Sequence, residues 1–315
     1  MKRKLDYYCF VGNSGYGSAA RYYIEAISPD WDVQVISIKP GKMRHQPRPD
    51  TVNAYHCVPN FYHRFKRYRP SIGFATFENI QIPNNWISLL NENDTVITPS
   101  QFNYRSFSRV LDAPISYIPH CLDLDKWHPD VDPIGKTKYF DFLFFGTTKA
   151  RKNLDFVLEA FKQEFSTEKN VRLRIKTDTQ QIPEEYLPRF IRGVDCLINA
   201  SLGEGFGLPG LQAMAVGTPV ITTNWSGCSD YANNETAWTI SPVKFEKIHR
   251  LDGTSQYQGL YWPVYSAQHL RRRMRQVLEQ KELRGKKVEE GIDLVQKSFG
   301  YDAIRALWRS QPVFA

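Results

Sequence analysis

The chain has 315 residues, 42% hydrophobic and 14% aromatic, a composition that fits a globular protein with two cores and excludes disordered, collagen-like and coiled-coil chains. Its 41 lysines and arginines exceed its 33 aspartates and glutamates, and the resulting formal charge of +8 favours an anionic partner without identifying it. The five cysteines form no C-x-x-C pair, so we expect no disulfide framework, no zinc cluster and a reducing compartment.

No stretch approaches the roughly 20 apolar residues of a membrane-spanning helix. The basic start, Lys2–Arg3–Lys4, leads into an apolar stretch that Gly12 interrupts, so it does not continue as a signal peptide. We therefore expect a cytoplasmic protein. Two basic segments, 63–69 and 271–275, leave contact with anionic lipid at a membrane surface open, although a solvated surface explains both without a partner.

Short apolar runs alternate with helical patterns in the first part of the chain. The runs with the length of buried strands are 5–11, 33–38, 72–76, 96–98 and 115–118. A loop over 12–17 leads into a predicted helix over 18–28 capped by Ser18, and another helix is predicted over 101–111. A Pro-rich basic stretch ending near Thr51 is predicted to be a long surface loop. This alternation predicts a parallel sheet covered by helices.

A second alternation follows the polar segment 128–138. Its predicted strands are 142–145, 171–175, 196–199 and 219–222. Its predicted helices start at 153, lie near 184–191 and span 209–215, with a helical tail from 268 onward. The fold class is therefore α/β, with a second α/β unit and a helical C-terminal tail.

The glycine loop of the first unit precedes a predicted helix, whose exposed N–H groups favour an anion. Gly15 and Gly17 permit positive φ and close backbone approach. The spacing is G-x-x-G-x-G rather than the G-x-G-x-x-G of dinucleotide sites, and the end of the second strand has Ser37–Ile38–Lys39 with no acidic residue. NAD binding is therefore disfavoured, and a turn that needs glycine explains the loop equally well.

A cationic loop over 145–153 lies between a predicted strand and helix of the second unit. It carries Lys149, Arg151 and Lys152 at the carboxyl end of a parallel strand, where ligands of α/β sheets bind. Cations near a helix N-terminus are unfavourable by roughly 0.3–1 kcal/mol. A bound phosphate would offset that cost, so the pattern predicts a phosphate site.

The most informative pattern lies in residues 201–220, where a carboxylate and several glycines precede a short helix. Glu204 is followed by Gly205–Phe206–Gly207–Leu208, and Pro209 marks the helix start. The N–H groups of such a loop favour phosphate, while Glu204 and Gln212 can bind sugar hydroxyls. The combination predicts a nucleotide-sugar pocket. A glycine loop that only caps a helix does not account for Glu204.

The seven histidines show no metal-binding spacing, and Asp123–Leu124–Asp125 is a D-x-D only formally, because it lies between the two units. We predict no metal site. The sequence also lacks the aromatic-basic alternation of an RNA-binding sheet and any recognition-helix motif, so we expect no nucleic-acid partner.

Residues 204–220 resemble the E-G-F-G-L-P-x-L-E-A-M-A-x-G-x-P-V signature of family 4 retaining glycosyltransferases. Other segments similar to that family are 14–17, 98–102, 118–123 and 145–153. The resemblance implies the GT-B fold of two facing Rossmann-like domains. It divides the chain into an acceptor-side domain, 1–132, a donor-side domain, 133–285, and C-terminal helices, 286–315, that pack back across the domain interface.

The resemblance also implies roles for individual residues. Glu204 would contact the transferred sugar and Lys152 the diphosphate leaving group, so these two form the catalytic pair. The residues that it places around the donor are Gly15, Tyr16, Gly17, Thr147, Arg151, Lys152, Gly205, Phe206, Gly207, Leu208 and Gln212. Glu78 stands where many relatives have a histidine-bearing strand end, which makes it a candidate acceptor contact or simply a surface glutamate.

Two positions depart from the family pattern. Gln212 stands where the family has a second glutamate for the ribose hydroxyls, and it replaces a charge-assisted hydrogen bond by a neutral one. Thr147 stands where an arginine usually follows the loop glycine, which leaves Lys152, with Arg151 as a substitute, to bind phosphate.

The resemblance implies retaining transfer of a sugar from a nucleotide-diphosphate sugar, such as a UDP- or GDP-sugar, to a hydroxyl acceptor on a glycan, lipid or small molecule. It implies neither a metal nor a further cofactor. Two alternatives stay open. One is a catalytically weak or silent nucleotide-sugar-binding protein of the same fold, and the other is a relative of the phosphorylase or epimerase type.

Overall fold

The computed structural model describes residues 2–12, 14–39, 41, 45–177, 182–249, 251 and 255–311. Asn13 of the glycine loop and residues 40 and 42–44 of the predicted surface loop lie outside this part of the chain. The chain divides into two units, the first made of Met1–Asp123 with Ser298–Ala315 and the second of Leu124–Lys297. The domain boundaries expected after residues 132 and 285 stay predictions.

The first unit contains a six-stranded parallel sheet. Its strands are β1 (Arg3–Cys9), β2 (Trp31–Ser37), β3 (Thr51–His56), β4 (Ser71–Phe74), β5 (Thr95–Thr98) and β6 (Ile115–Tyr117). They are ordered β2-β1-β3-β4-β5-β6. The chain leaves β1 for β2 on one side and later returns to β3 on the other, so a crevice opens between the carboxyl ends of β1 and β3.

Three helices follow strands of this sheet: α1 (Gly15–Ile27), α2 (Asn84–Asn91) and α3 (Gln101–Phe107). Helix α1 begins three residues before the predicted start, because the side chain of Ser14, rather than that of Ser18, caps it by accepting the Gly17 N–H at 3.1 Å. Its buried face includes Ala19, Tyr23 and Ile27, at the spacing of one helical stripe.

Strand β3 is a feature that the hydrophobic pattern does not predict. Its six residues, Thr51–His56, are all buried, although four are polar or ionisable: Thr51, Asn53, Tyr55 and His56. The Asn53 side-chain amide donates to the carbonyls of Thr51 and Pro70, and His56 Nδ1 lies 2.8 Å from Tyr7 Oη, whereas Asn53 Oδ1 is buried without a hydrogen-bond partner among the described residues. Polar residues buried by tertiary contacts therefore make this central strand hard to recognise from the hydrophobic pattern.

The second unit contains a five-stranded parallel sheet. Its strands are β7 (Phe140–Phe145), β8 (Val171–Lys176), β9 (Cys196–Asn199), β10 (Val220–Thr223) and β11 (Trp238–Ile240). They are ordered β11-β10-β9-β7-β8. Its helices are α4 (Leu154–Phe165), α5 (Leu187–Arg192) and α6 (Leu208–Ala215). On one side of the sheet, Phe142, Ile198 and Trp238 pack with Val157 of α4. The predicted α/β class is confirmed in both units.

A two-stranded antiparallel sheet follows β11 and was not predicted. It pairs β12 (Pro242–Ile248) with β13 (Leu260–Tyr265). Strand β13 packs inward through Trp262, which is completely buried, whereas residues 243–247 of β12 are exposed.

The chain ends in three helices: α7 (Ala267–Glu279), α8 (Lys281–Ser298) and α9 (Tyr301–Arg309). Helix α7 packs against α4, and its Arg271 and Arg275 form ion pairs with Glu164. Helix α9 belongs to the first unit and packs against α1, where the Arg305 side chain donates to the Ala26 carbonyl at 2.6 Å.

Candidate active site

Two loops of the second unit meet because of the strand order. Strand β7 has β8 on one side and β9 on the other, so this sheet reverses its winding between β7 and β9. The loop after β7 contains Lys152, and the loop after β9 contains Glu204. Carboxyl ends that flank such a reversal form the crevice in which open α/β sheets bind ligands.

Hydrogen bonds to backbone carbonyls tie the two loops together. Ala150–Lys152 form a single turn of 3-10 helix, after which Asn153 adopts a left-handed conformation with φ 61°. The side-chain amide of Asn153 donates to the Ala200 carbonyl at 3.1 Å, and the Leu202 backbone N–H donates to the Arg151 carbonyl at 2.8 Å. Both cations of this turn are thereby held against the second loop.

One carboxylate and two cations make up the centre of the site. Lys152 Nζ lies 2.6 Å from Glu204 Oε1, and an Arg151 guanidinium nitrogen lies 3.4 Å from Glu204 Oε2. The same guanidinium donates to the Gly203 carbonyl. All three side chains are at least 85% buried, with 8% of Glu204, 10% of Arg151 and 15% of Lys152 exposed. The group carries one excess positive charge in a mostly dry environment.

The protonation state of Glu204 follows from these neighbours. Burial alone raises the pKa of its carboxyl group, but the charges of Lys152 and Arg151 and the hydrogen bond from Lys152 outweigh that effect and hold the pKa below its usual value. Glu204 is therefore ionised at neutral pH and acts as a hydrogen-bond acceptor rather than as an acid.

The loop after β10 supports the backbone around Glu204. The Glu204 N–H donates to Ser226 Oγ at 2.9 Å, and the Gly227 N–H donates to the Glu204 carbonyl at the same distance. Ser226 has a φ of 62°, a backbone conformation that residues other than glycine rarely adopt. At Gly227 an added Cβ would lie 2.2 Å from the Gly205 carbonyl oxygen, so only glycine fits. This support was missed in the sequence, where Ser226–Gly227 signals no more than a turn.

Helix α6 begins at Leu208, four residues after Glu204. Gly207 is left-handed with φ 91°, and a Cβ there would lie 2.7 Å from both Cys228 Sγ and Tyr231 Oη. The Tyr231 hydroxyl donates to the Gly207 carbonyl at 2.6 Å and fixes this conformation. No described side chain caps α6. Pro209 has no N–H and the Gly210 N–H donates to the Gly207 carbonyl at 3.0 Å, so the first-turn N–H that α6 can offer to an anion is that of Leu208.

The remaining donor-side residues of the second unit lie in the same loops. Gly205 and Phe206 are buried, and Leu208 begins α6. Gln212 lies one turn further along α6 with 6% of its surface exposed. Thr147 follows β7, and its hydroxyl oxygen is buried without a hydrogen-bond partner among the described residues.

The predicted residues of the first unit follow the carboxyl ends of two of its strands, β1 and β4. Gly15, Tyr16 and Gly17 form the first turn of α1, and a Cβ on Gly17 would lie 2.1 Å from the Gly12 carbonyl oxygen. The Tyr16 hydroxyl lies 3.5 Å from the carbonyl oxygen of Thr76, two residues before Glu78, which is half-buried. These positions thus lie at the carboxyl end of the parallel sheet of the first unit.

Two buried histidines at this edge were also missed. His56 ends β3 with its Nδ1 2.8 Å from Tyr7 Oη, and Nδ1 of His120 lies 3.3 Å from Tyr23 Oη. Burial lowers the pKa of His56 well below its usual value and that of His120 to about 3, so both rings are neutral at physiological pH. Finding His56 would have required recognising β3.

The two basic segments make several ion pairs within the fold. Arg67 pairs with Glu92, and Arg69 lies 2.8 Å from Asp94. In the other segment, Arg275 pairs with Glu164 and with Glu168. Part of the charge of these two segments thus contributes to contacts between elements, whereas the net charge of +8 already counts the acidic partners.

The described part of the chain contains neither a cluster of metal ligands nor a helix that could span a membrane. Among residues 2–12, 14–39, 41, 45–177, 182–249, 251 and 255–311, histidine, cysteine, aspartate and glutamate side chains nowhere gather in threes as a metal would need. Within the same part of the chain, every helix is too short or too polar to cross a bilayer.

Comparison with known proteins supports the sequence-based resemblance. Residues 139–249, which run from β7 to β12 and include Lys152 and Glu204, match the family model described as Glycosyl transferases group 1. The resemblance is thereby confirmed for this stretch. No curated protein matches the sequence as a relative.

Glycosyltransferases of the GT-B fold are among the solved structures similar to this chain. A sucrose-phosphate synthase from Thermosynechococcus elongatus has 16% identity and a TM-score of 0.69, covering 98% of this chain and 97% of its own. HepE from Anabaena, in complex with UDP and glucose, has 11% identity and a TM-score of 0.67, covering 97% and 98%. A glycosyltransferase from Rickettsia africae has 12% identity and a TM-score of 0.65, covering 98% and 100%. The expected fold, two Rossmann-like domains of the GT-B type, is confirmed.

Proposed function

We propose that this protein transfers a sugar from a nucleotide-diphosphate sugar to a hydroxyl acceptor, with retention at the anomeric carbon. The observation that carries the proposal is the buried cluster of Glu204, Lys152 and Arg151 between β7 and β9. Its excess positive charge suits a diphosphate, and its ionised carboxylate suits the hydroxyls of a sugar. The family match over residues 139–249 supports the same activity.

Lys152 and α6 would bind the diphosphate. Lys152 has three N–H donors, of which Glu204 accepts one, so donors remain for phosphate oxygens. The uncapped first turn of α6, which Tyr231 holds through Gly207, supplies the Leu208 N–H together with a favourable helix dipole. The other residues of this loop that would contact the sugar nucleotide are Gly205, Phe206 and Leu208. Arg151 contributes charge from behind, because its guanidinium is held by Gly203 and Glu204.

The proposed reaction is a displacement on one face of the sugar. The bond between the anomeric carbon and the diphosphate oxygen breaks as the acceptor oxygen approaches from the same side. The departing phosphate oxygen takes the acceptor's proton, and Lys152 with the loop N–H groups stabilises the negative charge that grows on the diphosphate. Because Glu204 is ionised and paired with cations, we assign it to orienting the sugar rather than to covalent catalysis.

The side chains of Lys152 and Arg151 occupy the role that a divalent cation has in other phosphate-transfer sites, and we propose that activity needs no metal. We further propose that Gly15, Tyr16 and Gly17 contact the donor diphosphate and that Glu78 contacts the acceptor. Location in the cytoplasm, with or without peripheral contact to a membrane, stays a prediction.

A nucleotide-sugar-binding protein without turnover is the second candidate. It is favoured by Gln212 and Thr147, which stand where the family pattern has charged residues. Such a protein would bind the same donors through the same cluster and would release no sugar.

A thermal-shift panel with UDP, GDP, ADP and their sugars tests donor binding, because a ligand at 100 times its Kd stabilises the folded state by about 2.7 kcal/mol. UDP-glucose is the first donor to test, since HepE was crystallised with it. Nucleotide release from the stabilising sugar nucleotide, with and without candidate hydroxyl acceptors, then separates transferase from binder. If no sugar nucleotide stabilises the protein, both candidate functions are wrong.

A further inference from the structure

The outer edge of β12 is an exposed strand edge in the second unit. Strand β12 pairs only with β13 in its sheet, and no described residue outside β13 makes a backbone hydrogen bond to residues 243–247. Val243 is 61% exposed and Phe245 is 43% exposed. An unpaired edge with apolar side chains is a template for another strand unless its charges prevent pairing.

The ladder with β13 indicates which backbone groups of β12 face outward. Phe245 is the partner of Pro263, which has no N–H, so this pair cannot exchange both hydrogen bonds. In an antiparallel ladder, hydrogen-bonded pairs alternate with pairs whose N–H and C=O groups point away from each other. The N–H and C=O of Phe245 therefore face the open edge, while Lys244 and Glu246 bond towards β13.

The side chains of β12 are arranged so that the strand complements itself. Lys244 and Glu246 flank Phe245, are 60% and 54% exposed, and lie 2.5 Å apart. When two copies of β12 run antiparallel with Phe245 opposite Phe245, Lys244 of each copy lies opposite Glu246 of the other. This register also makes the Phe245 pair hydrogen-bonded and the two charged pairs non-hydrogen-bonded, which brings the charged side chains closest together.

The position of Phe245 is fixed before any association. Its ring packs edge-on against Trp225 at a centroid distance of 4.8 Å, and the Trp225 indole N–H donates to the Leu202 carbonyl at 3.0 Å. Leu202 is in turn bonded to Arg151, so the edge is connected to the loop that carries Glu204.

We propose that β12 is a docking edge for a second copy of this chain, forming a two-fold symmetric dimer by antiparallel pairing of the two β12 strands. The sheet then becomes four-stranded and continuous across the dimer, β13-β12-β12-β13. A two-fold interface uses the same patch on both chains, which is the property that the Lys244–Phe245–Glu246 pattern has.

Charge reversal tests the pairing, with sedimentation velocity of the full chain across a concentration series as the measurement. The wild type should show a concentration-dependent dimer. Lys244→Glu and Glu246→Lys should each raise the dimer Kd by about tenfold or more, because two symmetry-related ion pairs become like-charge pairs. The double variant, Lys244→Glu with Glu246→Lys, should restore the dimer. Lys297→Glu breaks an equally exposed ion pair with Asp293 elsewhere in the unit and should leave association unchanged.

Crosslinking tests the register in a way that does not depend on the charges. In the proposed register, Phe245→Cys brings two thiols together across a hydrogen-bonded pair, with Cα atoms about 5.5 Å apart, within the range for a disulfide. Lys247→Cys is the control, because position 247 faces position 243 of the other copy. All five native cysteines are buried and give little background.

Three results would overturn the proposal. The wild type could be monomeric at every concentration, the single reversals could leave a dimer unchanged, or the double variant could fail to recover it. Oxidation that crosslinks Lys247→Cys as readily as Phe245→Cys would likewise reject the register.

Discussion

At the residue scale, Glu204 has two tasks. Its carboxylate neutralises one of two buried cations, and the same carboxylate is the proposed sugar ligand. These tasks predict opposite effects on two measurable quantities. In Glu204→Gln, sugar transfer should fall to background, since the carboxylate acceptor is lost. Affinity for UDP alone should stay the same or increase, because Lys152 and Arg151 are released for the diphosphate. Calorimetric titration and turnover of the same preparation test this, and near-native turnover would remove Glu204 from the site.

Lys152 and Lys149 belong to one loop but differ in their contacts. Lys152 Nζ is 2.6 Å from Glu204, whereas Lys149 is exposed. Lys152→Ala should weaken binding of donor and free nucleotide diphosphate alike by about 1.5–3 kcal/mol, the range for a hydrogen bond to a charged group. Lys149→Ala is the matched control and should change affinity little. Equal affinities for the two variants would make Lys152 a structural lysine.

Gln212 differs from the glutamate of the family pattern, and α6 buries it close behind the loop that carries Glu204. Gln212→Glu should tighten nucleotide binding by about 1 kcal/mol, because a carboxylate accepts charge-assisted hydrogen bonds from both ribose hydroxyls. Repulsion from the diphosphate opposes this gain, but Lys152, Arg151 and the helix N-terminus favour negative charge here. Affinities of wild type, Gln212→Glu and Gln212→Ala decide the point. If Gln212→Ala binds as tightly as wild type, the residue does not contact the ribose.

At the scale of elements, the first turn of α1 offers two glycines in different surroundings. Both lie in the proposed donor loop, but a Cβ on Gly17 would collide with the Gly12 carbonyl at 2.1 Å, while a Cβ on Gly15 meets nothing within 4 Å. Gly17→Ala should therefore lower the melting temperature, whereas Gly15→Ala should leave it nearly unchanged. If Gly15→Ala nevertheless weakens donor binding, Gly15 serves the ligand and not the turn; equal melting temperatures would contradict the close approach.

The sequence predicted elements where hydrophobic runs and glycine loops coincide, and it failed where tertiary contacts override the pattern. Lys152 and Glu204, which the family resemblance pairs at the donor, lie in contact. Ser226 and Tyr231 were missed because they act through backbone groups of another loop, a relation that leaves no spacing in the sequence. Strands β3 and β12 were missed because one buries polar residues and the other exposes apolar ones.

At the scale of the whole molecule, the charge of the proposed site comes from side chains. Lys152 and Arg151 carry two positive charges against the one negative charge of Glu204. The remaining positive charge would take the role that a divalent ion has at other phosphate sites. Turnover should therefore persist after treatment with EDTA and exhaustive dialysis. Loss of activity that Mg²⁺ or Mn²⁺ restores would contradict the proposal, and an unchanged melting temperature in the chelated sample serves as the control for folding.

The path of the chain through its two units has a consequence for synthesis on the ribosome. The second unit is one uninterrupted stretch, Leu124–Lys297, whereas the first needs both Met1–Asp123 and the segment from Ser298 onward. Helix α9, which packs on α1 and whose Arg309 pairs with Asp30, emerges only after the entire second unit has been made. The first unit, although most of it precedes the second unit in the chain, is therefore the last to acquire all its contacts. Until then, the face of α1 that α9 covers is open to chaperones or to a neighbouring nascent chain.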